Sequence, residues 1–186
     1  MIKAGQISKG MFLLHKDEPH LVAEREFVNP GKGSAFVRLK LKNVKTGLVL
    51  RETIKSQEQV EEVVVEDEDA QFLYRDAESY HFMHGETYEQ LAVPVEGLED
   101  RALYLKEGET YQLVMWEGTP IDIKLPYKMP FLVTEAEHAI KGDTVSGSTK
   151  QVSIETGAVI KVPLFIKKGD RIVVNTETGE YVERTT

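Results

Sequence analysis

Two strand-forming runs meet at a turn in residues 21–44, which read LVAEREFVNPGKGSAFVRLKLKNV. Within the predicted strand at residues 35–42, apolar and basic side chains alternate from Val37 to Lys42, and this period of two is typical of a strand with one buried face and one exposed face. Between the runs, Pro30 presets one turn position, and a glycine on each side of Lys32 permits a positive φ angle. The stretch therefore predicts a β-hairpin with Lys32 at its tip.

The rest of the chain has the same character. Glycine-containing turn signals separate short β-branched and aromatic runs, a pattern typical of small barrels and sandwiches. A second alternating run, Ile160 to Lys167, predicts a strand in which Pro163 suits an edge or a bulge. Only Thr87–Leu91 and Leu98–Leu105 suggest short helical turns. The predicted fold class is all-β.

Two composition changes divide the 186 residues into three parts of similar length. The acidic stretch 61–69 follows a basic region, and residues 125–130 contain two prolines four positions apart. A lone domain of about 60 residues buries only about 60% of its unfolded surface, so its stability is marginal. We therefore expect at least two of the three parts to pack on each other. The predicted domains are residues 1–64, 65–128 and 129–186.

Charge is distributed unevenly along the chain, whose formal net charge is −8. Residues 1–63 hold eleven Lys and Arg against eight Asp and Glu, whereas residues 64–127 hold four against fifteen. The net charge alone argues against a nucleic-acid partner, but such an asymmetry favours polyanion binding by the basic part.

The predicted strand after the turn carries Arg38, Lys40 and Lys42 on one face, about 6.5–7 Å apart. Such a stripe can follow a nucleic-acid backbone and bind it through counterion release. The alternative is an ordinary solvated strand face, just as Lys32 could belong to an ordinary solvated turn. A phosphate-binding P-loop is not predicted, because the spacing of its motif is absent and a strand follows where a helix is required.

Other site types find little support in the sequence. The chain has no cysteine, which excludes disulfides, thiolate metal sites and a cysteine nucleophile. His81 and His84 are three apart, so on a strand they point to opposite faces, and the acidic run lacks the ligand spacing of a calcium loop. No catalytic motif, signal peptide or membrane-length apolar run occurs. We therefore expect a cytoplasmic protein without membrane contact, enzymatic activity, metal or cofactor.

Three segments resemble one known family. Residues 27–38, FVNPGKGSAFVR, are similar to the loop of the bacterial elongation factor P family. Residues 150–169, KQVSIETGAVIKVPLFIKKG, resemble that family's C-terminal signature, with Val152 in place of its alanine, and the ending GEYVER at 179–184 also fits. The resemblance spans the whole chain.

The resemblance implies an SH3-like (KOW-like) N-terminal barrel and two OB-fold barrels in a bent, tRNA-like shape. It implies a translation factor that binds the 70S ribosome and its rRNA between the peptidyl and exit tRNA sites and relieves stalling at consecutive prolines. Lys32 falls at the family's modified position, which reaches toward the CCA end of the peptidyl-tRNA. Lysine there implies a modification such as β-lysylation, installed by a lysyl-tRNA-synthetase-like ligase.

Two alternatives remain open. One is a general RNA-binding or ribosome-associated OB protein, and the other is an unmodified paralogue of the factor. The Pro30-Gly31-Lys32-Gly33 turn favours the factor over the paralogue. The resemblance also implies RNA contacts in the C-terminal part of the chain. Together with the basic stripe, the candidate RNA-binding residues are Arg38, Lys40, Lys42, Asp143, Thr144, Lys150, Tyr181 and Arg184.

Overall fold

The computed structural model describes residues 1–137 and 149–186, which form three antiparallel sheets. Helical structure within these residues is limited to a one-turn helix, α1 (Val95–Leu98), and 3-10 turns at Ala4–Gln6 and Glu99–Tyr104. No helix in this part of the chain is long and apolar enough to cross a membrane. The all-β prediction is confirmed.

The first sheet has six strands in the order β1-β6-β2-β3-β4-β5. Its inward side chains alternate with outward ones, and Val37, Leu39 and Leu41 are among its most buried residues. They pack with Ala4 and Ile7 from the N-terminal 3-10 turn in one apolar cluster. The strands are β1 (Ile2–Lys3), β2 (Phe12–His15), β3 (Glu18–Val28), β4 (Phe36–Asn43), β5 (Val49–Lys55) and β6 (Gln59–Glu62).

The second and third sheets have five strands each, in the orders β11-β10-β7-β8-β9 and β14-β13-β12-β15-β16. The edge strands of each sheet also lie against each other, so both sheets curl toward closed barrels. The second contains β7 (Glu66–Arg75), β8 (Ser79–His84), β9 (Gln90–Pro94), β10 (Thr110–Trp116) and β11 (Thr119–Lys124). The third contains β12 (Lys128–Ala136), β13 (Thr149–Ile154), β14 (Val159–Pro163), β15 (Arg171–Asn175) and β16 (Tyr181–Thr185).

An apolar cluster joins the first two sheets. Phe12, Val44 and Val63 pack there with Val114 and Ile121 of the second sheet. Contacts group residues 1–98 and 110–124 into one compact unit, and residues 99–109 and 125–186 into another. The expectation that at least two of the three parts pack on each other is confirmed. The domain limits near residues 64 and 128 stay a prediction.

Residues 99–109 belong to the second unit, although they lie between β9 and β10 in the sequence. Tyr104 is buried, and its ring centroid lies 5.9 Å from that of Phe131. Lys106 extends over the same Phe131 ring, 4.7 Å from its centroid, and forms a 3.1 Å ion pair with Glu155. Burial, and secondarily the charge of Asp100, raises the pKa of the Tyr104 hydroxyl. This segment therefore contributes core to the third sheet.

The structure confirms one of three local predictions and differs from the other two. The strand predicted to run to Lys167 ends at Pro163, because a turn follows in which the Ile166 amide donates to the Pro163 carbonyl. The helical turn expected at Thr87–Leu91 is wrong, since β9 begins at Gln90. The helical turn expected at Leu98–Leu105 is confirmed by α1 and the 3-10 turn that follows it.

Tyr104→Ala tests the contribution of the 99–109 segment. Loss of a buried aromatic ring costs about 3–5 kcal/mol, so we expect the free energy of unfolding to fall by about 3 kcal/mol. Tyr127→Ala is the matched control, because that ring is 57% exposed and its loss is expected to change stability by about 0.5 kcal/mol or less. Urea unfolding of the full chain measures both, and equal midpoints for the two variants would contradict the assignment.

Candidate nucleic-acid interface

The loop at residues 29–35 connects β3 and β4 as the sequence predicts. Val28 and Phe36 form its last cross-strand pair. Of the two glycines beside Lys32, only Gly33 takes a positive φ, +107°, so one left-handed residue suffices to turn the chain. Lys32 is exposed at the tip, and in the part of the chain that the structure describes its side chain has no hydrogen-bond or ion-pair partner.

The base of the loop is anchored on one side. The Ser56 amide donates to the Ala35 carbonyl at 2.9 Å, and the Gly5 amide donates to the Ser56 carbonyl at 3.0 Å. The guanidinium of Arg25 donates to the Gly5 carbonyl at 3.1 Å and lies 5.5 Å from the ring centroid of Phe27. The Lys32 side chain at the tip is therefore free, whereas the strand ends at the base of the loop are fixed by hydrogen bonds.

Arg38, Lys40 and Lys42 lie on the outer face of β4, as the alternation predicts, but they are not equally free. The Arg38 side chain is 58% exposed and the Lys40 side chain is 35% exposed. Lys42 is half-buried, and its Nζ donates to the Gly97 carbonyl at 3.3 Å. Their contact with RNA stays a prediction.

Two carboxylates on β3 face this basic stripe. Glu24 pairs with Lys40 at 2.8 Å, and Glu26 pairs with Arg38 at 3.4 Å. The hydrogen bond from Lys40, and then its charge, lowers the pKa of Glu24. Neither pair was predicted from the sequence, although the hairpin offers a signal: residues paired across this part of it have numbers that sum to 64, twice that of Lys32.

The neighbouring strand β5 adds two further cations that the sequence analysis did not single out. Arg51 lies opposite Lys40, and Lys55 lies opposite Phe36, so both extend the basic character of the outer face. Arg38, Lys40, Arg51 and the two β3 carboxylates help to line a surface depression of about 480 Å³. The face is thus a mixed-charge surface with a basic excess.

The C-terminal candidates lie in the second unit. Lys150 is on β13, where its Nζ donates to the Glu137 carbonyl at 3.3 Å. Tyr181 and Arg184 are on β16, and a one-residue shift in register lets them pair with Val174 and Ile172, which both face the core. Asp143 and Thr144 lie outside the described residues.

Arg184 also has local partners. Its guanidinium lies 3.8 Å from an Asp170 carboxylate oxygen and 5.5 Å from the ring centroid of Phe165. Phe165 is 55% exposed, so the pair presents a cation beside an open aromatic face. Stacking and cation–π surfaces of this kind are compatible with RNA bases and backbone.

His81 and His84 have separate partners. The His81 Nε2 lies 2.6 Å from an Asp76 carboxylate oxygen, and its ring stacks on Tyr74 at 4.5 Å. The His84 Nε2 pairs with Glu68 at 3.0 Å, and its Nδ1 accepts hydrogen bonds from two backbone amides. Within residues 1–137 and 149–186, no group of three metal-ligating side chains converges.

Comparison with known proteins matches all three sheets to one family. Residues 3–60 match the elongation factor P KOW-like domain, residues 65–123 its OB domain and residues 130–184 its C-terminal domain. The expected KOW-like and OB-fold classes are thereby confirmed.

Whole-chain relatives give the same result. Elongation factor P of Treponema denticola is 52% identical over 184 residues, covering 99% of this chain and 98% of the relative. That of Borrelia hermsii is 52% identical over 186 residues, covering 98% and 97%. A solved initiation factor 5A of Methanococcus jannaschii is 20% identical, with a TM-score of 0.48 over 66% of this chain and 92% of that one, a likeness too partial to bear on function.

The pKa of Asp76 is lowered to about 2, first by the hydrogen bond with His81 and then by those from the Glu78 and Ser79 amides. We expect His81→Ala to raise this pKa toward the ordinary value of 3.8. The folded-state pKa of Asp76 lies below its unfolded-state pKa. The ionised Asp76 therefore stabilises the folded protein above about pH 4, and this stabilisation is lost as pH falls toward 2.

Carbon-13 NMR titration of the Asp76 carboxyl measures this effect. His84→Ala is the control, because His84 pairs with Glu68 instead, and it is expected to leave the Asp76 titration unchanged. A midpoint near 3.8 in the unmodified sequence would show that the His81–Asp76 hydrogen bond does not persist in solution.

Proposed function

The chain belongs to the elongation factor P family of translation factors, and we propose that it binds the ribosome between the peptidyl and exit tRNA sites and relieves stalling at consecutive prolines. The observation that carries this proposal is the placement of Lys32. An exposed lysine without a partner, at the tip of a hairpin with an anchored base, can be modified and can reach a second molecule. Packing of the fold does not require it there.

The proposed action is positional. Proline is a poor nucleophile and a stiff peptidyl donor, so peptide-bond formation between prolines is slow when the reactants are poorly aligned. A modified Lys32 contacting the CCA end would hold the peptidyl-tRNA in a reactive geometry. Orientation that is fixed before the reaction lowers the barrier without chemistry by the factor itself. The protein is therefore proposed to act without catalytic residues, metal or cofactor.

The outer face of β4 is proposed to contact RNA phosphates. Arg38 and Lys40 are the available cations, and both already interact with carboxylates on β3. RNA binding would thus exchange internal ion pairs for phosphate contacts and release counterions. In the second unit, we propose RNA contacts by Lys150, Tyr181 and Arg184, and by Asp143 and Thr144, on the strength of family membership.

Lysine chemistry supports the proposed modification. A primary amine on a flexible stem is the group that a lysyl-tRNA-synthetase-like ligase would acylate with β-lysine. The extension would lengthen the cationic side chain beyond the loop, where additional contacts with RNA backbone become possible. Ribosomes, peptidyl-tRNA and such a ligase would meet this protein in the cytoplasm.

Lys32 substitutions test the loop. Lys32→Ala is expected to change the free energy of unfolding by no more than about 0.5 kcal/mol, because the side chain is exposed at the loop tip. Synthesis through a run of prolines is expected to slow sharply, while synthesis of proline-poor messages continues at the normal rate. Translation assays with both messages, using factor from the native host, measure the difference.

Lys32→Arg is the sharper variant. It keeps the charge but removes the primary amine, so it is expected to behave like Lys32→Ala if lysine modification is essential. Full polyproline activity in Lys32→Arg would exclude an essential lysine modification. Full activity in both variants would leave Lys32 an ordinary turn residue and favour a general RNA-binding protein.

The internal ion pairs allow a test of the basic face. Glu24→Gln and Glu26→Gln free Lys40 and Arg38, so ribosome affinity is expected to rise and its salt dependence to steepen. Lys40→Gln is expected to weaken binding and to reduce the salt slope by about one. Lys16→Gln is the charge-matched control on an exposed turn, expected to change neither. Identical salt slopes for all four variants would make the stripe a solvated face only.

A further inference from the structure

Two glycines lie where the first two β-domains touch. Gly47 is in the turn between β4 and β5, and Gly97 is in α1. A Cβ atom on Gly47 would lie 2.7 Å from the Glu96 carbonyl oxygen, and one on Gly97 would lie 2.9 Å from the Val44 carbonyl oxygen. Both obstacles are main-chain atoms, which cannot rotate away as a flexible side chain does. The two backbones therefore approach each other reciprocally, and each approach requires the absence of a side chain.

The turn that carries Gly47 is locked from within. The Asn43 carboxamide oxygen accepts hydrogen bonds from the Lys45 and Thr46 amides at 2.8 and 3.1 Å. The side-chain amide nitrogen of Asn43 donates to a Glu18 carboxylate oxygen at 2.6 Å. The backbone amide of Gly47 donates to the backbone carbonyl of Asn43 at 2.9 Å. The turn therefore resists rearrangement, and a new side chain at this contact would move the domains rather than the turn.

Other contacts surround the glycine pair. Lys42 donates to the Gly97 carbonyl at 3.3 Å, and Val44 packs with Val114 and Ile121 in the shared apolar cluster. The contact thus combines main-chain apposition, a charged hydrogen bond and apolar burial. We call the contact between the turn and α1 the joint.

Strand β4 connects the joint to the Lys32 loop without interruption. Its eight residues, Phe36 to Asn43, span roughly 26 Å at the usual rise of about 3.3 Å per residue. A rotation of about 5° at the joint would therefore move the base of the loop by about 2 Å. Misplacement by about 1 Å can reduce the rate of a reaction that depends on alignment by about 100-fold.

We propose that Gly47 and Gly97 are positioning residues, which set the angle between the first two β-domains and so place Lys32 against its target. This inference rests on the proposed function, in which Lys32 aligns a bound RNA. The second domain is the fixed reference, and the joint transmits its orientation through β4 to the loop. A side chain at either glycine would tilt the first domain while leaving Lys32 and the basic face chemically intact.

Gly97→Ala is the primary test variant. Gly97 does not have a positive φ, and alanine favours helix more than glycine does, so the substitution is compatible with the local fold and conflicts only at the joint. Gly47→Ala tests the other side of the contact. Its φ of +72° adds left-handed strain to the steric conflict. Gly10→Ala is the matched control for strain alone, because Gly10 has a φ of +90° and a Cβ atom added there would meet no atom within 4 Å.

The first readout is geometric. The chain has no cysteine, so Gln57→Cys beside the loop base and Glu86→Cys in the second domain give two unique spin-label sites on exposed residues. Pulsed electron paramagnetic resonance is expected to show a distance shifted by about 2 Å or more, or a broadened distribution, in Gly97→Ala and Gly47→Ala. Gly10→Ala is expected to match the unmodified sequence. An unchanged distance in both joint variants would overturn the proposal.

The second readout is functional and uses unlabelled protein whose Lys32 modification is verified by intact mass. At saturating factor, polyproline synthesis is expected to fall at least tenfold in both joint variants and to stay unchanged in Gly10→Ala. Shifted distances with full activity would overturn the positioning role. The proposed function fails separately, if Lys32→Ala retains full activity, and the distance measurement then still reports whether the glycines set the joint.

Discussion

Antiparallel pairing of β3 with β4 is the constraint on which the rest of this molecule depends. Near the loop the pairing is symmetric about Lys32, so one register fixes which residues face the core, which face solvent and which residue stands at the tip. Val37 and Leu39 enter the first core, and Arg38 and Lys40 meet carboxylates on the outer face. A slip of one residue would exchange the two sets and place charge in the core.

Strand β4 connects two regions of contrasting character. At one end is a loop whose central side chain has no partner in the described residues. At the other end is a turn whose backbone amides donate to the Asn43 side chain and whose backbone packs against α1. A free group on a rigid support loses little conformational entropy when it binds, because the support is already ordered. The contrast between ordered arms and a free tip suits the alignment of another molecule better than it suits chemistry within the protein.

Ion pairs, rather than the number of basic residues, determine how much positive charge is available on the surface of this protein. The basic outer face of the first domain contains its own carboxylates, so part of its positive charge is already compensated before any partner arrives. The 99–109 segment shows a parallel effect, because Lys106 is occupied by Glu155 and by the ring of Phe131. Counting basic residues along the sequence therefore overstates how many cations are available to an RNA backbone.

The sequence alone determined the β class, the hairpin, the position of Lys32 and the alternation along β4, because each depends on residues within a few positions of one another. It also missed what distant residues decide. The Glu24–Lys40 pair depends on the register between two strands. The strand expected to reach Lys167 is a local error instead, because a turn from Pro163 to Ile166 ends the strand at Pro163. Only the tertiary structure brings Gly47 to Glu96, Gly97 to Val44 and Tyr104 to Phe131, since these residues lie far apart in the sequence and no local spacing encodes their contacts.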